Sequence, residues 1–303
     1  MTVKIDYFSI TVHADEKYMR QFWRKHFAAS LGDLVPTDMG GRGFKRKDTA
    51  LLGAQVYYEP AQDDDFFFHV EIKGQACTAL APSVYIGIIR WLDFDEVVFK
   101  VTRLDLAFDE LFFTPTDFYN HLLTDNDILT FANRRTIKFH IAPFEARENG
   151  EIGTSGVYLG SRKSERMIRV YDLHGFTRLE LQLKQDRADA IARHIFISEY
   201  PDWEQIAKSH LRQFVDFPSW DYWIFFISSV VRSDLIIASA RLMTLEKSKK
   251  YIEEQVSPTL SVLQDVLGEG DFAQYLERTL EQAKDRPRTR YKALLEASHR
   301  NIS

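Results

Sequence analysis

From Arg103 to Asp109 polar and apolar positions alternate, so that in an extended strand Leu104, Leu106 and Phe108 face one way and Arg103, Asp105, Ala107 and Asp109 the other. Three more segments follow the rule. In HVEIK, Val70 and Ile72 oppose His69, Glu71 and Lys73; in MIRVYDL, Ile168 and Val170 oppose Arg169 and Tyr171; in RLELQLK, Leu179, Leu181 and Leu183 oppose Arg178, Glu180, Gln182 and Lys184. Joined in one sheet, these strands make an aliphatic face and a face of carboxylates, guanidinium groups and a tyrosine. Mixed charge is what the solvated side of a one-sided antiparallel sheet carries, and for any single strand that explanation suffices. Aspartate is disfavoured in strands, however, and acids near the middle of several strands mark this face as a candidate site.

The same periodicities predict strands at Lys4–Val12, Ala54–Glu59, Phe66–Lys73, Val97–Phe108, Thr136–Ile141, Gly156–Leu159, Met167–Leu173 and Thr177–Leu183. Helices interrupt them at Glu16–Ser30, Ser83–Trp91, Thr116–Leu123 and Arg187–His194. From Trp203 onward the spacing is helical, over Trp203–Phe214, Tyr222–Ala240, Thr244–Val256, Ser257–Leu267 and Phe272–Lys284. The expected fold class is α+β: an antiparallel catalytic sheet within residues 1–215, then a helical C-terminal region over 216–303. Strand, helix, strand recurs before and after about residue 95, a weak sign of internal duplication.

With 303 residues and 45% hydrophobic content, the chain can bury a large core. No apolar run approaches the roughly 20 residues of a membrane span, and MTVKIDYFSITVH lacks the basic-then-apolar order of a signal peptide, so a cytoplasmic location is expected. The lone Cys77 excludes an intrachain disulfide and a cysteine-based zinc cluster. A net charge of −5 argues against a uniformly basic coat, yet the basic residues are clumped. GGRGFKRK carries Arg42, Lys45, Arg46 and Lys47; SRKSERMIR carries Arg162, Lys163, Arg166 and Arg169; a third clump, Lys284–Lys292, reads as solvated surface.

Strand geometry limits how the acids can act. Residues four apart in a strand lie roughly 13 Å apart, so Asp105 and Asp109 share one ion only across a bulge, whereas acids on neighbouring strands, about 4.8 Å apart, can converge. Glu71, Asp105 and Glu180 are therefore the candidate metal ligands, a hard oxygen set suited to Mg²⁺ or Mn²⁺. Asp109 is expected to bind Arg103 or to support the site from outside the ion's ligands.

TRLDLAFD (Thr102–Asp109), YLGSRKSERMIRVYD (Tyr158–Asp172) and RLELQLK (Arg178–Lys184), in that order, resemble the replication initiation factor family. This is the Rep_trans type of plasmid and phage rolling-circle initiators, together with T-class relaxases of conjugative elements. IDYFSITV, GGRGF and HVEIKGQAC are similar to its relaxase and phage branch, and the resemblance covers roughly residues 5 to 215. It implies a site-specific, metal-dependent single-strand endonuclease and strand transferase. The tyrosine of the arginine–aliphatic–tyrosine motif, Tyr171 here, attacks a phosphodiester and becomes linked to the 5′ phosphate. The family's acids fall on Asp105, Glu180 and, by the N-terminal match, Glu71. Members commonly carry a lysine two residues after the tyrosine; this chain reads Tyr171-Asp172-Leu173-His174-Gly175, leaving that role vacant or filled by His174 or Lys184.

A phenol with a pKa near 10 needs a neighbouring cation or metal to favour phenolate. Arg169 is placed to stabilise the phosphorane, with Arg42, Arg162, Lys163, Arg166 and Arg178 as DNA contacts. The partners expected are origin DNA, single-stranded or cruciform, a host helicase, since the chain has no Walker P-loop, and a second copy of the chain. No histidine–aliphatic–histidine triplet occurs among the nine histidines, so the other common nicking chemistry has no support. Two rival readings keep the same face: a catalytically silent origin binder, and a metal-dependent nuclease acting through water.

Overall fold

The computed structural model describes residues 2–62, 66–125, 127–130, 156–173, 175–197, 203–227, 230–231, 249 and 252–284. The chain forms two compact units, Met1–Ile237 and Ala238–Ser303. Among the described residues of the first, nine strands make one antiparallel sheet: β1 (Thr2–Val12), β2 (Val35–Pro36), β3 (Phe44–Thr49), β4 (Gln55–Pro60), β5 (Phe68–Lys73), β6 (Phe99–Leu111), β8 (Gly156–Leu159), β9 (Arg166–Leu173) and β10 (Phe176–Lys184). Two short strands, β7 (Leu129–Thr130) and β11 (Val215–Asp216), pair separately.

The sheet order is β2-β3-β4-β5-β1-β6-β10-β9-β8. Counted outward from the central β1–β6 pair, one side runs β1, β5, β4, β3 and the other β6, β10, β9, β8. Each half thus lays its first strand at the centre, its last strand beside it, and the rest outward in reverse order, with β2 as an extra edge strand of the first half. The recurrence seen in the sequence is a recurrence of topology.

The aliphatic face is covered by helices. The helices of this unit include α1 (Glu16–His26), α2 (Ala28–Leu31), α4 (Pro82–Phe94), α5 (Pro115–Thr124), α6 (Gln185–Ile197), α7 (Trp203–Phe214) and α8 (Asp221–Ile227), with α3 (Gln75–Thr78) a single turn. Phe8 of β1 meets Tyr85 of α4 at 5.1 Å between ring centroids, Phe22 of α1 meets Phe68 of β5 at 5.6 Å, and Phe108 of β6 meets Phe226 of α8 at 5.6 Å. Local sequence fixes the helix ends. Asp15 caps α1 by accepting from the Tyr18 N–H, and Thr114 with Asp117 closes a capping box on α5 just ahead of Pro115.

The predicted helix Glu16–Ser30 breaks at Phe27, whose φ of −121° is non-helical, into α1 and α2. β3 has no apolar alternation to read, because its buried position is Asp48, which pairs with Arg20 and accepts from the Tyr58 hydroxyl at 2.9 Å. The predicted strand Thr136–Ile141 lies outside the described residues, as does most of Thr244–Val256; of Tyr222–Ala240, the described helix is Asp221–Ile227. In the second unit a π-helical turn, Ile252–Val256, leads into a helix over Ser257–Leu267, and Gly268 at φ 77° separates it from the helix Glu269–Lys284. Among the described residues no helix is long and apolar enough to cross a membrane.

Candidate active site on the polar face of the sheet

Register decides which polar residues meet. β9 and β10 pair Arg169 with Glu180 and Tyr171 with Arg178. The Tyr171 hydroxyl donates to Glu180 Oε1, while Arg169 Nη1 lies 3.0 Å from Glu180 Oε2. The same guanidinium lies over the rings of Tyr171 and Tyr158, at 5.2 and 5.8 Å. Burial, then the Glu180 charge, raises the Tyr171 pKa above its ordinary value, so the phenol holds its proton. Burial also raises the pKa of Glu180, with Arg169 and the phenol hydrogen bond opposing. The hydroxyl thus donates to a carboxylate more basic than usual, while Arg178, opposite on β10, is the cation that acts against the rise in the phenol pKa.

Asp105 forms a second cluster. Arg103, two residues away on β6, holds it through Nε and Nη2 at 3.0 and 2.6 Å, and Gln182 from β10 donates at 3.2 Å. The Arg103–Asp109 pairing does not form. Asp109 instead takes the Arg178 guanidinium, Nη2 at 2.9 Å, and Lys4 at 3.0 Å, while Arg178 Nη1 reaches Asp6 at 3.0 Å.

Glu71, fully buried, forms a third cluster. The Tyr7 hydroxyl donates to its Oε1, and Lys73 Nζ lies 2.6 Å from the same oxygen. Arg42 Nη2 stands 2.8 Å from Oε2 but is not aligned with it, so that oxygen is neutralised without accepting a hydrogen bond. Burial raises the Glu71 pKa, but Lys73, Tyr7 and Arg42 together bring it below the usual carboxylate value.

Glu71, Asp105 and Glu180 share the face without converging. β1 stands between Glu71 and Asp105, and Asp105 pairs with Gln182 while Glu180 pairs with Ala107. Among the described residues no group of three or more His, Cys, Asp or Glu side chains is placed to hold a metal ion. A hard divalent cation takes six or more oxygen ligands, whereas each of these carboxylates already carries its own guanidinium or ammonium. The trio therefore does not fit Mg²⁺ or Mn²⁺ as arranged.

The remaining candidates are dispersed. Arg162 and Lys163 are exposed in the turn between β8 and β9. Arg166 lies on the helix-covered side, its guanidinium 4.4 Å from the Phe214 ring centroid of α7. Lys184 sits opposite Arg103, six residues along β10 from the arginine that faces Tyr171, and its Nζ donates to the Arg162 carbonyl at 2.8 Å. His174 lies outside the described residues. Sequence reasoning missed Tyr7, Lys4 and Asp6, because a bulge between Ile5 and Tyr7 turns β1 over there and breaks the alternation that would have found them.

A family model described as replication initiation factor matches residues 99–280. Among solved structures, the chain is similar to one described as a rolling circle replication initiator protein from Geobacillus stearothermophilus. The TM-score is 0.56 at 20% identity, over 76% of this chain and 98% of that one, a likeness of fold. No curated protein sequence matches the chain.

Proposed function

The chain belongs to the replication initiation factor family, and on that premise we propose that it nicks one strand of a plasmid, phage or integrative-element origin through Tyr171, opening rolling-circle replication or conjugative transfer. The observation that supports Tyr171 as nucleophile is its hydroxyl bonded to Glu180, whose other oxygen Arg169 holds at 3.0 Å. As Tyr171 Oη bonds to phosphorus, its proton passes to the Glu180 carboxylate, the bond from phosphorus to the 3′ oxygen breaks, and the departing oxygen recovers a proton. Arg169 is half-exposed and can turn from Glu180 toward the phosphate as its charge develops.

The 5′-phosphotyrosine conserves the broken bond, so a second 3′ hydroxyl can reverse the reaction and close the strand. The resemblance implies Mg²⁺ or Mn²⁺, which would polarise the phosphate when bound; Glu71, Asp105 and Glu180 as arranged do not gather to hold it. Origin DNA is the partner, with unwinding left to a separate helicase.

Incubation with origin DNA and Mn²⁺ tests the proposal. A denaturation-resistant protein–DNA adduct is expected from the natural chain and none from Tyr171→Phe, which removes only the attacking oxygen. Cleavage without an adduct means attack by water; binding without cleavage means a silent origin binder. An undiminished adduct in Tyr171→Phe moves the nucleophile elsewhere, with Tyr158 the next to test.

A further inference from the structure

A cavity of about 370 Å³ opens on the polar face away from Tyr171, walled by Tyr7, Arg42, Phe44, His69, Arg103 and Lys184. Lys184 follows Glu180 by four residues on β10, roughly 13 Å along the strand. The cavity is at the small end of the range for ligand sites, about 300–1,000 Å³, room for a single nucleotide and not for a duplex. We propose that it receives one unpaired nucleotide of the DNA strand that Tyr171 cuts, the base against the aromatic walls and a phosphate against the cations.

Both kinds of wall are needed for that ligand. Duplex DNA presents phosphates but keeps its bases stacked, so aromatic walls would have nothing to meet; an unpaired nucleotide exposes a π-face that Phe44, Tyr7 or His69 can cover. Burial, then the Arg42 charge, holds His69 down to about 4, so its ring is neutral at physiological pH. Arg103 is stacked 3.8 Å over the Tyr7 ring, forming one flat wall from two strands. Lys184 is the cation with most to gain. Its hydrogen bond goes to a carbonyl, which does not neutralise it, and burial with the nearby Arg103 charge lowers its pKa. A phosphate relieves that repulsion. α6 begins at Gln185 on the same rim and adds the positive end of a helix.

The proposal rests on the reading of the chain as an enzyme of single-stranded origin DNA, and its test separates the two. The natural chain is irradiated with a mixed-sequence single strand carrying 5-iodouracil for thymine, and crosslinked peptides are sequenced. Crosslinks at Phe44, Tyr7 or His69 are expected, and Phe44→Ala should weaken binding of that strand about five-fold or more. Crosslinks confined to residues outside the cavity overturn the proposal, even when the Tyr171 adduct forms and the nickase reading stands. Cavity crosslinks in a chain that forms no Tyr171 adduct with origin DNA and Mn²⁺ leave the nucleotide site in place and remove the nickase. A free nucleotide offers the same chemistry: if the four deoxynucleoside monophosphates abolish the crosslink at concentrations lower than the strand itself requires, the site serves free nucleotide and the strand assignment is overturned.

Discussion

The two halves of the sheet set a tyrosine at matching registers. On β4, Gln55 pairs with Glu71 and Tyr57 with His69; on β9, Arg169 pairs with Glu180 and Tyr171 with Arg178. Glu71 thus corresponds to Glu180, and Tyr57 to Tyr171. Their hydroxyls are bonded differently. Tyr57 is 7% exposed and donates to the Gln55 side-chain oxygen at 2.6 Å, an amide that cannot take a proton. Tyr171 donates to a carboxylate of raised pKa. Glu71, the counterpart of that carboxylate, is committed to Tyr7, Lys73 and Arg42, and its pKa is lowered. The two tyrosines thus differ in the basicity of the acceptor on the hydroxyl, the difference on which the proposed role of Tyr171 rests. The family match, over residues 99–280, begins where the second half of the sheet begins.

The largest contrast should come from the tyrosines themselves. Tyr171→Phe is expected to abolish nicking while origin binding stays within a few-fold, and Tyr57→Phe to leave nicking nearly intact. Single-turnover assays on labelled origin DNA decide, and equal losses would erase the distinction between the halves. Next come the acids. Glu180→Gln keeps the hydrogen bond but not the proton acceptor, and should slow nicking by about 10²–10⁴-fold. Glu71→Gln should affect folding and DNA affinity more than the rate of the chemical step; an equal rate loss would mean that Glu71 also serves the reaction.

Arg169 sharpens the same point through pH. Nicking needs Glu180 unprotonated, so the rate should rise with pH through a pKa above the ordinary glutamate value. Arg169 lowers that pKa, so Arg169→Gln should move the rising limb to higher pH as well as lowering its plateau. A limb that stays in place would remove Glu180 as the base. Smaller still is the effect of Arg162→Ala with Lys163→Ala, exposed in the turn beside β9. The slope of log affinity against log salt should flatten by about 0.7 for each phosphate that is no longer neutralised. Least visible is Mn²⁺ binding by the DNA-free chain. Calorimetry should find it weak, and stronger in Arg103→Ala, which frees Asp105; tight binding by the natural chain would contradict the dispersed carboxylates.

Much of this was legible in the sequence, because period-two alternation carries its own evidence of which side is buried. Gly156–Leu159 and Trp203–Phe214 appear with the predicted bounds, and Leu104, Leu106 and Phe108 are fully buried. β3 was invisible because its inward residue is an ion-paired aspartate. Side-chain pairing across strands was the harder problem. Alternation puts Glu71, Asp105 and Glu180 on one face, but register then separates them, and no single strand encodes register. The bulge at Asp6 and a second irregularity between Thr177 and Leu179 each shift strand partners by one residue. Tyr171 meets Glu180 on a diagonal, because the regular β9–β10 register sets Arg178 opposite the tyrosine and Arg169 opposite the glutamate.

Attack by the Tyr171 hydroxyl, with its proton passing to Glu180, is the proposed chemical step. Its most direct test is residue-level mass spectrometry of the covalent adduct after nuclease trimming of the DNA. A nucleotide 5′-phosphate linked to Tyr171 is the predicted result; the same mass on Tyr158, Tyr57 or any other residue would contradict it.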